Sequence, residues 1–249
     1  MANDFVLLAT GAAVAGFVQG LSGFAFGMVA MSIWVWGIEP HVAAVMTVTG
    51  GLAGQLVQAF TVRRGLRLPA LLPFLLGAAV GVPLGVALLP HLDTGLFKLT
   101  LGIILVVCCP AMLLAHRLPR LRWGGRAGDG VAGAVGGLMG GIGGFPGVVP
   151  TLWCTLRGFD KDAQRAVIQN FNLGMLAVTM ASYLASGLIS RAMLPLFAIV
   201  LPAMLVPTLV GTRLYVGLSE ATFRKLVLGL LTLSGGALVS SALPALWGR

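Results

Sequence analysis

The chain has 249 residues, 58% of them hydrophobic and only 9% charged, with a formal net charge of +9. A soluble domain carries about 25% charged residues, so this chain cannot coat itself for water. A basic nucleic-acid surface is excluded as well, because the lysines and arginines fall in short loops between apolar runs.

Those runs approach the roughly twenty residues that cross a bilayer. In chain order they cover about 5–19, 24–38, 42–61, 66–90 and 95–115, then 130–139, 144–156, 163–187, 192–216 and 222–246. This pattern predicts an all-α polytopic membrane protein. Met1 to Thr10 lacks the basic n-region of a cleaved signal peptide, so the first run is expected to be retained. A polar stretch from His116 to Asp129, with Arg117, Arg120, Arg122 and Arg126, separates the fifth run from the sixth. It divides one integral membrane domain into two expected repeats, 1–126 and 127–249. A shift of 120 residues lays Gly20, Gly23 and Gly27 on Gly140, Gly143 and Gly147, and a later shift of 126 lays Gly85 on Gly211 and Phe97 on Phe223. Cys108, Cys109 and Cys154 lie in or beside apolar runs with no CxxC spacing. They read as small hydrophobic filler, and neither a metal nor a cofactor is expected. Trp34, Trp36, Trp123, Trp153 and Trp247 read mostly as interfacial anchors.

Charge gives the expected orientation, since Lys and Arg concentrate in cytoplasmic loops. With Arg63, Arg64 and Arg67 inside, an inverted second half also puts Arg157, Lys161, Arg165, Arg213, Arg224 and Lys225 inside. Only Lys98, Arg191 and Arg249 then lie outside, whereas a parallel second half splits the basic residues almost evenly. Inversion requires an odd number of crossings per half. Phe5–Gln19 is short, about 22 Å as a helix, against a hydrocarbon core of roughly 30 Å. Each half therefore reads as a broken or re-entrant helical hairpin followed by three transmembrane helices, with a kinked continuous helix as the alternative.

The breaks are Gly20-Leu-Ser-Gly-Phe-Ala-Phe-Gly27 and Gly140-Gly-Ile-Gly-Gly-Phe-Pro-Gly147. Non-helical backbone at membrane depth persists only where protein or a watery cavity satisfies it. Paired breaks in corresponding halves point to a transporter's binding site. Gly141-Ile-Gly143-Gly144 followed by Val149-Pro150 resembles the TauE/SafE family of sulfite exporters over essentially the whole chain. The resemblance implies transport of small sulfur-containing anions, such as sulfite or organosulfonates, across the prokaryotic plasma (inner) membrane by a multi-pass protein. The chain departs from the family pattern at Phe24 and Ala30 in the first break, and at Gln169-Asn170 where members often carry Gly-Thr.

No lysine or arginine lies in the middle of a predicted span, so the anion is expected to meet neutral donors. Backbone amides around Ser22–Gly23 and Gly143–Gly144 would supply a helix-terminus anion site, with Pro146 and Pro150 preserving the second break. Thr47, Gly51, Gln55 and Gln58 share one helical face, with Thr49 beside them, and Gln169, Asn172, Thr179 and Tyr183 make a similar stripe next to Asn170. The candidate substrate-binding residues are therefore Ser22, Gly23, Thr47, Thr49, Gln55, Gln58, Gly143, Gly144, Pro146, Gln169, Asn170 and Asn172. Gly16/Gly20, Gly23/Gly27, Gly136/Gly140 and Gly143/Gly147 also fit close helix packing alone. The expected partners are a small anionic substrate and membrane lipid, not nucleic acid, and homo-oligomerisation stays open.

All seven acids fall near predicted segment ends, so no intramembrane proton relay is visible. A channel-like permease, or a carrier of another small organic anion, is the alternative. A remote one is an intramembrane serine protease, because Gly20-Leu-Ser22-Gly23 matches a GxSG motif. That chemistry needs a base within hydrogen-bond reach, and His41, His91 and His116 sit at segment ends.

Overall fold

The computed structural model describes residues 2–61, 65–115, 120–121, 124–214 and 220–247. Arg63, Arg64, His116, Arg117, Arg122, Trp123 and Arg249 lie outside the described residues, as do the side chains of Lys161, Arg224 and Trp247. The described fold is helical. In the first half, α1 is Ala2–Ser22, α2 Phe26–Trp34, α3 Pro40–Thr61, α4 Leu68–Leu88 and α5 Thr94–Leu114. In the second, α6 is Gly125–Gly143, α7 Val148–Leu156, α8 Lys161–Ala185, α9 Leu194–Leu214 and α10 Glu220–Trp247. Six helices are long and apolar enough to cross a membrane, and the chain is a multi-pass membrane protein. The 25-residue α8 is not among the six, because its length carries Gln164, Gln169, Asn170 and Asn172 beside charged residues at its start.

Local chemistry sets the ends of these helices. Pro40 opens α3, where its missing N–H costs nothing. Asp93 and Asp160 cap α5 and α8 by accepting from the Leu96 and Ala163 amides at 2.8 and 2.7 Å. The Ala163 amide also holds the exposed Asp160 carboxyl below its ordinary pKa, with Arg67 assisting. Helices α1 and α6 end on glycines in the left-handed region, Gly23 at φ 86° and Gly144 at φ 72°. This is a conformation that side chains with a Cβ rarely adopt. The equivalent glycines are thus 23 and 144, one residue off the shift of 120, while the starts of α4 and α9 (68 and 194) and of α5 and α10 (94 and 220) keep the shift of 126.

Each break is a hairpin with unequal arms. The first arm is longer than the sequence suggests: α1 has 21 residues and α2 only nine. Gln19 and Gly20 stay helical because Gln19 is buried and Gly20 packs directly on the α9 backbone at Thr208. The start of α6, residues 125–129, is likewise helical rather than linker, so the boundary at residue 126 falls inside α6. Trp34 shows that α2 folds back on α1: its ring lies against Gly11, and its indole N–H donates to the Leu7 and Leu8 carbonyls at 3.2 and 3.3 Å. Trp34 is fully buried, which corrects its reading as an interfacial anchor. Trp153 does the same for α7, lying against Gly128 of α6, and is half-buried rather than free at an interface.

The halves grip one another. Helix α9 packs on α1, with Gly16 facing Met204 and Gly20 facing Thr208 and Gly211, so the two run parallel. Helix α4 packs on α6 in the same way, with Gly77 facing Gly130 and Gly85 facing Leu138. The small residues let backbones approach closely, which substitutes for a hydrophobic drive that lipid does not supply. Corresponding helices meet antiparallel. Gly102 of α5 meets Val239 while Leu105 meets Gly235, and Gly51 of α3 meets Leu176 while Gly65 meets Ala166. The open end of the α1–α2 hairpin lies with Asp4, Phe5, Glu39 and Leu196 around a cleft of ≈ 270 Å³, and Lys98 stacks over Trp36 nearby at 5.2 Å. The open end of the α6–α7 hairpin lies at the opposite end of the bundle, where Arg67 pairs with Asp160 at 3.5 Å.

Candidate functional site

The two hairpins point their tips at each other. They touch: a methyl group at Gly27 would overlap the Gly144 carbonyl oxygen, and one at Gly144 would crowd Thr47 and Val48 of α3. No room for a ligand remains between Gly27 and Gly144 in this arrangement. Helices α3 and α8, which cross antiparallel, flank the tips and carry the polar side chains.

At the first tip a chain of glutamines surrounds Gly23. Gln55 Nε2 donates to the Gly23 carbonyl at 2.9 Å, Gln58 Nε2 to the Gln19 carbonyl at 2.8 Å, and Gln19 Nε2 to the Gly51 carbonyl at 3.3 Å. Gln169 of α8 completes the group, with its Nε2 3.5 Å from the position a Gly23 Cβ would take and Gln58 Oε1 at 3.7 Å. All four glutamines are buried. At the second tip Thr47 faces Gly144 and Asn172 faces Gly147. Among the described residues, Thr47 Oγ1, Gln58 Oε1, Thr151 Oγ1, Asn172 Oδ1 and Thr179 Oγ1 are buried without a hydrogen-bond partner. An orphaned buried polar group costs about 1–3 kcal/mol, and these five are spread along α3, α7 and α8.

Other candidates take different places. Ser22 Oγ accepts from the Ala25 and Phe24 amides at 3.3 and 3.5 Å and shapes the turn. Thr49 is half-buried and donates back to Val45 at 2.8 Å, away from the tips. Asn170 donates to the Ala166 and Gly65 carbonyls at 2.8 and 3.0 Å, tying α8 to the end of α3. Pro146 packs on Gly136 and Gly140, locking the second tip to its own long arm, and the Phe145 ring covers Gly143. Of the glycine pairs, Gly16/Gly20 and Gly136/Gly140 serve packing, while Gly27 and Gly144 make the tip contact.

The expected amide donors are also different. The Gly23 and Gly144 amides donate to the Gln19 and Gly140 carbonyls at 2.7 and 2.8 Å, so both are consumed in closing α1 and α6. The orphan amides of a helix are those of its first turn. Here these belong to α2 at Phe26–Met28 and α7 at Val148–Val149, whose positive dipole ends both lie at the tips.

Two features escaped the sequence reading. Gln19 lay at the edge of an apolar run, and only the neighbouring α3 reveals it as part of the glutamine group. Asp129 is buried at the open end of the second hairpin, where its Oδ1 accepts from Arg157 Nη1 and Trp153 Nε1, both at 2.8 Å. Arg157 also donates to the Gly125 carbonyl at 2.8 Å. This cluster is remote from the tips, since Asp129 and Gly143 are fourteen residues apart on α6, about 21 Å of helix. Among the described residues the GxSG serine has no base beside it: its oxygen accepts from backbone amides, and His41 pairs with Glu39 at 3.2 Å near the opposite end of α3.

Two helical hairpins thus meet tip to tip inside a multi-pass helical bundle, beside buried neutral polar groups. The family described as Sulfite exporter TauE/SafE matches residues 7–238, and the chain belongs to it. No curated protein and no solved structure matches the chain.

Proposed function

We propose that this protein carries small sulfur-containing anions, of the sulfite or organosulfonate type, across the prokaryotic plasma membrane. The substrate is held where α3 and α8 cross beside the hairpin tips. The observation that carries this reading is the buried neutral polar lining there, Gln58, Gln169 and Asn172, beside which backbone amides supply the donors. The first-turn amides of α2 and α7 add positive dipole ends without a fixed cation. Neutral donors bind an oxyanion and release it readily, which suits turnover. The abutting tips support a carrier over an open channel. The two halves are read as inverted repeats, a reading supported by the antiparallel pairing of α3 with α8 and of α5 with α10.

The test is thermal unfolding of the purified chain in detergent with sulfite, sulfate, thiosulfate, methanesulfonate or acetate. A bound anion stabilises by mass action, about 2.7 kcal/mol at a hundredfold excess over Kd. Sulfite and methanesulfonate are expected to raise Tm and acetate to leave it unchanged. A Tm unmoved by every anion would remove the basis for the site.

A further inference from the structure

We infer that the species carried is a singly charged oxyanion, hydrogen sulfite in the case of sulfite, and not the dianion. The inference rests on the transporter reading above and concerns the same site. It starts from Gln58, 2% exposed on α3. Amide orientation is usually ambiguous, but here it is fixed, because Gln58 Nε2 donates to the Gln19 carbonyl at 2.8 Å. Its Oε1 must therefore be the atom facing Gly23, and it accepts from nothing. The sulfite dianion brings only acceptors, so it would set oxygen against oxygen at this point, whereas a sulfonate can turn its alkyl group there. Hydrogen sulfite donates its O–H to Gln58 Oε1 and accepts with its other oxygens from donors beside Gly23.

Charge points the same way. Desolvation cost grows with the square of the charge, so a dianion costs about four times as much to bury as a monoanion. Among the described residues no cation stands at the tips to offset it. The charged groups on the helices around Gln58 are Asp4 on α1, Asp162 and Arg165 on α8 and Arg213 on α9, all exposed, with half-buried His41 at the far end of α3. Arg157 is engaged with Asp129, and Arg67 with Asp160. Hydrogen sulfite and sulfite interconvert near neutral pH, so both forms are available and the site selects between them. Each sulfite carried takes a proton with it, which couples transport to pH without any titrating residue at the tips.

The experiment uses the full chain in proteoliposomes, with protein-free liposomes subtracted. Flux of sulfite at fixed, subsaturating total concentration is followed from one unit below to two units above its second pKa, beside methanesulfonate, which keeps one charge throughout. Sulfite flux is expected to fall about tenfold per pH unit on the alkaline side, with methanesulfonate flux flat. Gln58→Met is expected to lower the ratio of sulfite to methanesulfonate flux at least tenfold, because methanesulfonate makes no O–H donation, and its remaining flux reports that the variant folds. Sulfite flux that holds or rises with pH overturns the inference and leaves the transporter reading standing. So does an equal loss of both anions in Gln58→Met, which would make the glutamine structural. Absence of sulfite flux at every pH defeats the transporter reading itself, and this inference with it.

Discussion

At the open end of the first hairpin, the Trp34 indole donates to two backbone carbonyls rather than to a charged group. At the open end of the second, the Trp153 indole donates to the Asp129 carboxylate, which is also held by Arg157. The tips differ in the reverse sense. The first is ringed by Gln19, Gln55, Gln58 and Gln169, whereas the second is closed by Phe145 and Pro146 packed on glycines of its own arm. The same shape is thus held by polarity at opposite ends of the two elements. The second hairpin is tied by an ion pair at its base and a proline at its tip, the first by amide hydrogen bonds at its tip.

The largest expected effect comes from breaking the charged base. Asp129→Leu strands Arg157, and removing one partner of a buried pair costs 3–5 kcal/mol. Since the Arg157 side chain is 25% exposed, about 3 kcal/mol is expected, read as a lower Tm of the purified protein. Asp129→Leu combined with Arg157→Met should recover most of it, because the orphan charge is gone. If the double variant is as unstable as the single one, the pair is not what pins this hairpin. Next comes the contact between the tips. Gly27→Ala forces a methyl into the Gly144 carbonyl and should destabilise by about 2 kcal/mol, with loss of transport. Gly229→Ala on α10 meets nothing within 4 Å and serves as the neutral comparison. Equal behaviour of the two variants would show that the tips do not abut. The smallest effect is at the neutral base. Replacing Trp34 with β-(3-benzothienyl)alanine keeps the bicyclic ring but removes the indole N–H, for about 1 kcal/mol. A loss as large as that of Asp129→Leu would erase the contrast between the hairpins.

Composition alone fixed the membrane-spanning helical class, because a chain with 9% charge has no way to satisfy water over its surface. Glycine marked both breaks and proline the second, since these residues release helical backbone locally. Gln55, Gln58, Gln169 and Asn172 were legible because amides are too costly to bury among apolar neighbours without a reason. What the sequence could not reveal was which partner each polar group meets. Gln19 and Asp129 looked like the ends of apolar runs, and the Gly23 and Gly144 amides looked free, until α3 and the long arms of the hairpins were in place. Trp34 could not be told from an interfacial tryptophan, because burial is a property of what packs against a side chain. The class of the molecule and the positions of its breaks follow from local chemistry. The pairing of α1 with α9 and α4 with α6, the meeting of the tips and the orientation of Gln58 belong to the tertiary structure, because each depends on residues far apart in the chain.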